Sequence, residues 1–266
     1  MRSNLSVIQN FLINYSKFSE EALRKCSGEL EKEFRDNFFK LKDLYVEKRD
    51  EILEKNKITA DQFNIFRILK VERYEVTTHS ALLKELLDSR GSHGQGNLFF
   101  INFLYLLANK DIIPKDEINK YSPKTFDDYR CNAELTVNTG RLDIIIERTY
   151  GDFRFCIIIE NKVDAADQDE QIDRYWIYLK SKSEIPENRK KILYLTKIGE
   201  LPSYNSIKLD ARENLAKNGV LYYISYSKDI IHWLNEVLPK VESKKVSYLI
   251  KQYIETIQNL NDGRDE

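Results

Sequence analysis

GRLDIIIE (140–147) and, beyond a turn at Gly151, FRFCIIIENK (153–162) decide how this chain folds. The triplets Ile144–Ile146 and Ile157–Ile159 lack any polar alternation, which predicts strands buried on both faces. Tyr150, Gly151 and Asp152 read as a hairpin turn, so the two strands pair. Working outward, NAELTVN (132–138) alternates as a strand does, and Thr139 and Gly140 turn it into the next. A helix is predicted from about Asp167 to Lys182, with Ile172, Trp176 and Leu179 as its apolar stripe. KILYLT (191–196) and VLYYIS (220–225) are a fourth and a fifth strand. Ser227 is expected to cap a helix through Ile230, Ile231 and Leu234, and a last helix spans roughly Lys244 to Leu260.

Upstream, the pattern is helical. Phe11 and Tyr15, then Phe34, Phe38 and Leu41, recur at helical spacing in a first segment rich in Glu and Lys. Residues 1–56 are therefore read as a two-helix extension, suited to a homodimer contact or a protein partner. Residues 57–266 are read as the main domain. Thr59 and Gln62 fit a capping box, with Phe63, Phe66 and Leu69 following on one face. Thr77 and Thr78 mark a second helix start before Ala81, Leu83 and Leu87, and Leu98–Leu107 is apolar enough for a buried helix.

Composition narrows the function classes. The 266 residues are 42% hydrophobic, enough for a substantial core, and 42 Lys+Arg against 43 Asp+Glu leave a net charge of -1. That excludes a strongly basic, histone-like protein, so any nucleic-acid contact must come from locally placed cations. Cys26, Cys131 and Cys156 are scattered and form no CxxC pattern, which argues against a disulfide framework or structural zinc. No signal-peptide pattern and no apolar run of transmembrane length is found, so a soluble cytoplasmic protein is expected.

The chemistry concentrates where the two strands end. Side chains alternate along a strand, so Glu160 and Lys162 share a face and Asn161 points away. A hairpin turning near Gly151 can bring Asp143 beside Glu160. Two carboxylates buried together are costly unless a cation joins them. The set suits Mg²⁺, with Mn²⁺ able to substitute, held by Asp143, Glu160 and the Asn161 carbonyl. Lys162 then orients the attacking water or stabilises charge developing on a phosphoryl oxygen.

The order GRLD (140–143), ENK (160–162) and QIDRY (171–175), with EVTTHSALL (75–83) upstream, resembles the PD-(D/E)XK nuclease superfamily over about residues 63–200. The resemblance implies an α/β fold with a restriction-endonuclease-like αβββαβ core, a mixed central sheet, and added N-terminal and C-terminal helices. It places the metal ligands at Asp143 and Glu160 and the catalytic lysine at Lys162. It also puts a first-helix glutamate at Glu75, where the spacing carries one extra threonine and Glu85 competes, and a site-facing glutamine at Gln171. Gln168 and Tyr175 adjoin Gln171 on the predicted helix and are candidate nucleic-acid contacts. So are Arg141, whose alternative is an ion pair with Glu134 or Asp143, and Lys190 within a basic run from Lys180 to Lys191. His79 and Ser80 either support the site or cap their helix, and His93 in its Gly-rich loop is a further candidate contact. The implied activity is metal-dependent hydrolysis of phosphodiester bonds in nucleic acid, DNA first, in a setting such as prokaryotic defence. The alternative is a non-catalytic or partner-gated regulatory protein on the same fold.

Overall fold

Both isoleucine triplets lie at the centre of one five-stranded sheet in the computed structural model, which describes residues 2–23, 28–60, 63–125 and 128–260. The strands are β1 (Arg130–Val137), β2 (Gly140–Arg148), β3 (Phe155–Asn161), β4 (Lys190–Thr196) and β5 (Leu221–Ser225), in chain order across the sheet. β1, β2 and β3 form an antiparallel meander, and β4 and β5 join it in parallel. Every residue of β3 and β4 is buried, as continuous apolar runs covered on both faces require.

The chain divides into two compact units, Met1–Phe63 and Asn64–Glu266. The first unit contains α1 (Arg2–Leu23) and α2 (Gly28–Thr59). Their aromatic stripes meet: Tyr15 stacks on Phe34 at 5.4 Å and on Phe38 at 5.9 Å between ring centroids.

The second unit contains the sheet and its helices: α3 (Ile65–Ile68), α4 (Ala81–Leu87), α5 (Leu98–Asn109), α6 (Ile118–Tyr121), α7 (Gln171–Ser181), α8 (Leu209–Lys217), α9 (Ile231–Val237) and α10 (Lys244–Gln258). One sheet face, with Ile144, Ile146, Ile157 and Ile159, packs against Leu83, Phe99, Phe103, Trp233 and Tyr253. The opposite face, with Ile145, Cys156 and Ile158, packs against Ile172, Tyr175 and Leu179 of α7. The expected αβββαβ order is present, with α7 making the crossover between the parallel strands β3 and β4. No helix among the described residues is long and apolar enough to cross a membrane.

Several local expectations fail for identifiable reasons. Thr59 ends α2 instead of starting a helix, and Gln62 lies outside the described residues. The cap is Asn64, whose side chain accepts from the Phe66 and Arg67 N–H groups and also reaches Gln252 and Thr256 of α10. The helix it starts has only four residues, so Phe66 is buried while Phe63 and Leu69 stay exposed. Thr77 and Thr78 fall inside a π-helical turn, Glu75–Ser80, that runs directly into α4. Such a turn is one residue wider than a turn of regular α-helix. α7 starts at Gln171 because Glu170 sits in the left-handed region at φ 53° and bonds its N–H to Asn205 O. Ser225, not Ser227, caps the second π-helical turn, Tyr226–Ile230. The helix α8 was not expected at all: Leu215 is its single buried residue, which leaves almost no apolar stripe to read.

Candidate active site

The β2–β3 register sets Ile144 opposite Ile159, and continuing it by one step brings Asp143 beside Glu160. Alternation then puts both carboxylates on the α7 side of the sheet, with Lys162. Asp143 Oδ2 accepts the Asn161 N–H at 2.9 Å. Lys162 Nζ stands 3.0 Å from Glu160 Oε1, and the Tyr175 hydroxyl donates to Glu160 Oε2. Gln171, one turn before Tyr175, is buried, and its Oε1 accepts the Gln168 N–H at 3.3 Å. The Tyr175 hydroxyl thus ties α7 to the strand end at Glu160.

The electrostatics are short of positive charge. Burial first, and then the charge of Asp143, push the Glu160 carboxyl up to about 8. Burial also raises Asp143, against the pull of the Asn161 N–H and of Lys162. Burial draws the Lys162 ammonium down, but Glu160, Asp143 and Glu75 outweigh it and the net shift is upward. Glu160 is fully buried, and its Oε1 has the ammonium at ion-pair distance but accepts no well-aligned hydrogen bond. One lysine cannot neutralise two carboxylates, and a hard divalent cation fits the deficit. Among the described residues no group of three or more His, Cys, Asp or Glu side chains forms a ready cage. Two carboxylates plus the Asn161 carbonyl, completed by water, is a donor set of the kind Mg²⁺ accepts.

The other face of β3 is held by both π-helical turns. Asn161 Nδ2 donates to Ser80 Oγ at 2.9 Å and to Glu75 O at 3.2 Å, and its Oδ1 accepts from the Tyr226 hydroxyl at 2.7 Å. His79 lies behind this contact, bonded to the Tyr253 hydroxyl at 2.9 Å and to Glu72 O at 2.8 Å. Burial drives the His79 imidazole down to about 4, so it is neutral at pH 7. His79 and Ser80 thus support the strand end. Glu75 Oε1 accepts the N–H groups of Val163, Asp164 and Ala165, immediately after Lys162. Glu85 instead accepts the Ser92 N–H and holds the glycine-rich loop.

Other candidates are not brought together here. Gln168 is exposed in the loop before α7, with Arg174 on its side chain, so it does not share a helix face with Gln171. Arg141 is exposed and pairs with Glu134 at 2.8 Å, the ion-pair alternative. Tyr175 is buried on Glu160 and not presented to a polymer. Lys190 is buried at the far end of β4, opposite Cys156, and Lys191 donates to Gly219 O at 2.6 Å. Lys182 pairs with Glu147, and Arg189 lies over the Phe153 ring. Lys180 is exposed and lies over the Trp176 ring, so most of the basic run is engaged in contacts within the chain. His93 is buried against Phe99 and bonded to Asp88 O.

Two residues near the site, and the backbone of a third, escaped the sequence reading. Tyr226 and Tyr253 look like ordinary apolar-stripe residues in sequence, and only the fold shows their hydroxyls in the polar chain behind Asn161. Glu134 holds φ 54° in mid-strand, between Ala133 opposite Ile144 and Leu135 opposite Leu142, which sets it across from Asp143. No residue type in NAELTVN announces that left-handed backbone.

No curated protein and no solved structure matches the chain. A family profile matches residues 63–255, beyond the span of the short motifs and on into α10, whose Tyr253 supports the strand end through His79. With well over half of its length matched, including both strands that carry the paired carboxylates, the chain belongs to the PD-(D/E)XK nuclease superfamily.

Proposed function

We propose that this protein is a metal-dependent nuclease that hydrolyses phosphodiester bonds in nucleic acid, with DNA as its polymer and Mg²⁺ as its ion. The observation that carries the reading is the pair of buried carboxylates, Asp143 and Glu160, sharing one ammonium at the strand end and both pushed toward their protonated forms. Asp143 and Glu160, with the Asn161 carbonyl, would hold the ion. A divalent cation supplies, when bound, Lewis-acid polarisation of the phosphate and an attacking water of lowered pKa. Lys162 sets a cation next to the same carboxylates, where it offsets negative charge as it builds on a phosphoryl oxygen. Tyr175 fixes Glu160 by its hydroxyl, so the carboxylate does not have to reorganise during the reaction, and Gln171 lies one turn away on the same helix. In this reading the nuclease domain is intracellular, and the helices of residues 1–56 serve a second copy or a protein partner.

The test is cleavage of plasmid DNA, single-stranded DNA and RNA with Mg²⁺ or Mn²⁺, running wild type beside Asp143→Ala and Lys162→Ala. Metal-dependent cutting by wild type alone supports the reading, and the preferred substrate identifies the polymer. No cutting of any substrate favours a partner-gated nuclease if metal still binds through Asp143 and Glu160. It favours a binding protein on a nuclease fold if metal does not bind.

A further inference from the structure

Three consecutive backbone N–H groups converge on one oxygen: Val163, Asp164 and Ala165 donate to Glu75 Oε1 at 2.6, 2.9 and 2.8 Å. These amides belong to the segment that leaves β3 directly after Lys162 and lies outside the sheet ladder. The same turn grips the strand end from the other side, because Glu75 O and Ser80 Oγ both accept from Asn161 Nδ2. Lys162 sits between the two grips, and its own N–H is tied to Leu195 O at 2.8 Å.

We propose that Glu75 is a positioning residue: it clamps the 163–165 backbone and thereby holds the Lys162 ammonium against Glu160. Hydrogen bonds to an ionised acceptor are about twice as strong as neutral ones, and three on one oxygen fix the direction in which the chain departs. Without them, the segment keeps an outer tie through Asp164, which pairs with Arg73 at 2.8 Å and Lys197 at 3.0 Å. That tie leaves the loop in place but does not set the orientation of residues 163 and 165. The widened turn is what lets Glu75 reach: with one residue fewer, the start of the helix would present a different side chain to these amides.

A clamp and a direct role at the reacting atoms respond differently to the same substitutions. Glu75→Gln keeps a carbonyl oxygen that can accept from the amides and loses the charge. Glu75→Ala loses the acceptor, and Glu75→Met does so while keeping the stem, which serves if the alanine variant fails to fold. Two readouts need no turnover: hydrogen exchange of the peptide covering residues 163–165, and the rate at which an amine-acylating reagent labels Lys162, which is only 9% exposed. Both are expected to rise about tenfold or more in the alanine and methionine variants and to stay near wild type in the glutamine variant. The activity arm rests on the nuclease reading. There, kcat is expected to fall about 10²-fold in the alanine variant with KM unchanged and to stay within about threefold of wild type in the glutamine variant. Unchanged exchange and labelling in both acceptor-free variants would overturn the clamp. So would a glutamine variant as inactive as the alanine variant while its exchange stayed at the wild-type rate. A wild type that cuts nothing would count against the nuclease reading and leave the exchange and labelling results to decide the clamp.

Discussion

The two ends of the sheet bury charge in opposite ways. At the end where β3 begins, Arg148, Lys191 and Lys182 each find partners within the protein. Arg148 donates to four main-chain carbonyls, of Lys120, Tyr121, Ser122 and Asp128, and lies over the Phe155 ring. Lys191 has Gly219 O, and Lys182 has Glu147. At the end where β3 finishes, two carboxylates share one ammonium and are both driven toward protonation. Buried charge that finds all its partners within the chain is part of the architecture. Buried charge left in deficit is prepared for something that arrives from outside.

The largest effect should come from removing the deficit. Asp143→Asn and Lys162→Ala are expected to lower metal-dependent cleavage by about 10²–10³-fold. The melting temperature of Asp143→Asn, measured in chelator, should equal or exceed that of wild type, because a repulsive buried charge is gone. A fall of many degrees would mean that the carboxylate pair is architectural after all. Mg²⁺ at about a hundred times its dissociation constant should stabilise the wild type by about 3 kcal/mol and leave Asp143→Asn unmoved.

At the opposite end the expectation reverses. Arg148→Met should cost about 3 kcal/mol of stability in urea unfolding, since it strands four carbonyls, while cleavage by the folded fraction stays at the wild-type rate. Loss of activity in fully folded Arg148→Met would erase the distinction between the ends.

His79 sharpens the contrast, being a buried base kept neutral just behind the site. Its proton affinity falls from the usual 6.5 to about 4 on folding, so between those values the unfolded chain holds the extra proton. Stability is then undiminished above pH 6.5 and declines as pH drops toward 4, by about 3 kcal/mol in all. In His79→Gln that decline should shrink, as unfolding at pH 7 and pH 4.5 would reveal. The smallest expected effect belongs to Tyr175→Phe. Losing one hydroxyl on Glu160 should lower cleavage by about tenfold and change stability by about 1 kcal/mol, and unchanged cleavage would detach Tyr175 from the site.

How far these features could be read in advance depended on their range. The central strands were legible because unbroken isoleucine runs have few alternatives, and strand alternation then puts Asp143, Glu160 and Lys162 on one side. Local chemistry misled where tertiary partners decided: Ser227 and Thr59 looked like caps, but Ser225 and Asn64 had the hydrogen bonds. The lysines and arginines from 180 to 191 read as a surface run because sequence shows charge and not the carbonyls or rings that absorb it. The hydroxyls of Tyr226 and Tyr253 could not be read at all, since their partners lie 65 and 174 residues away. Nor could the reach of Glu75 to the far side of Lys162, which depends on a turn one residue wider than a regular helix.

Asn64 fastens the start of the second unit to α10 through Gln252, 188 residues further along, whereas Asp143 meets the Asn161 N–H across only 18. The two contacts therefore belong to different moments of synthesis. A nascent chain leaving the ribosome can pair the charged hairpin as soon as β3 has emerged, but the seam between α3 and α10 stays open until nearly the whole protein has been made.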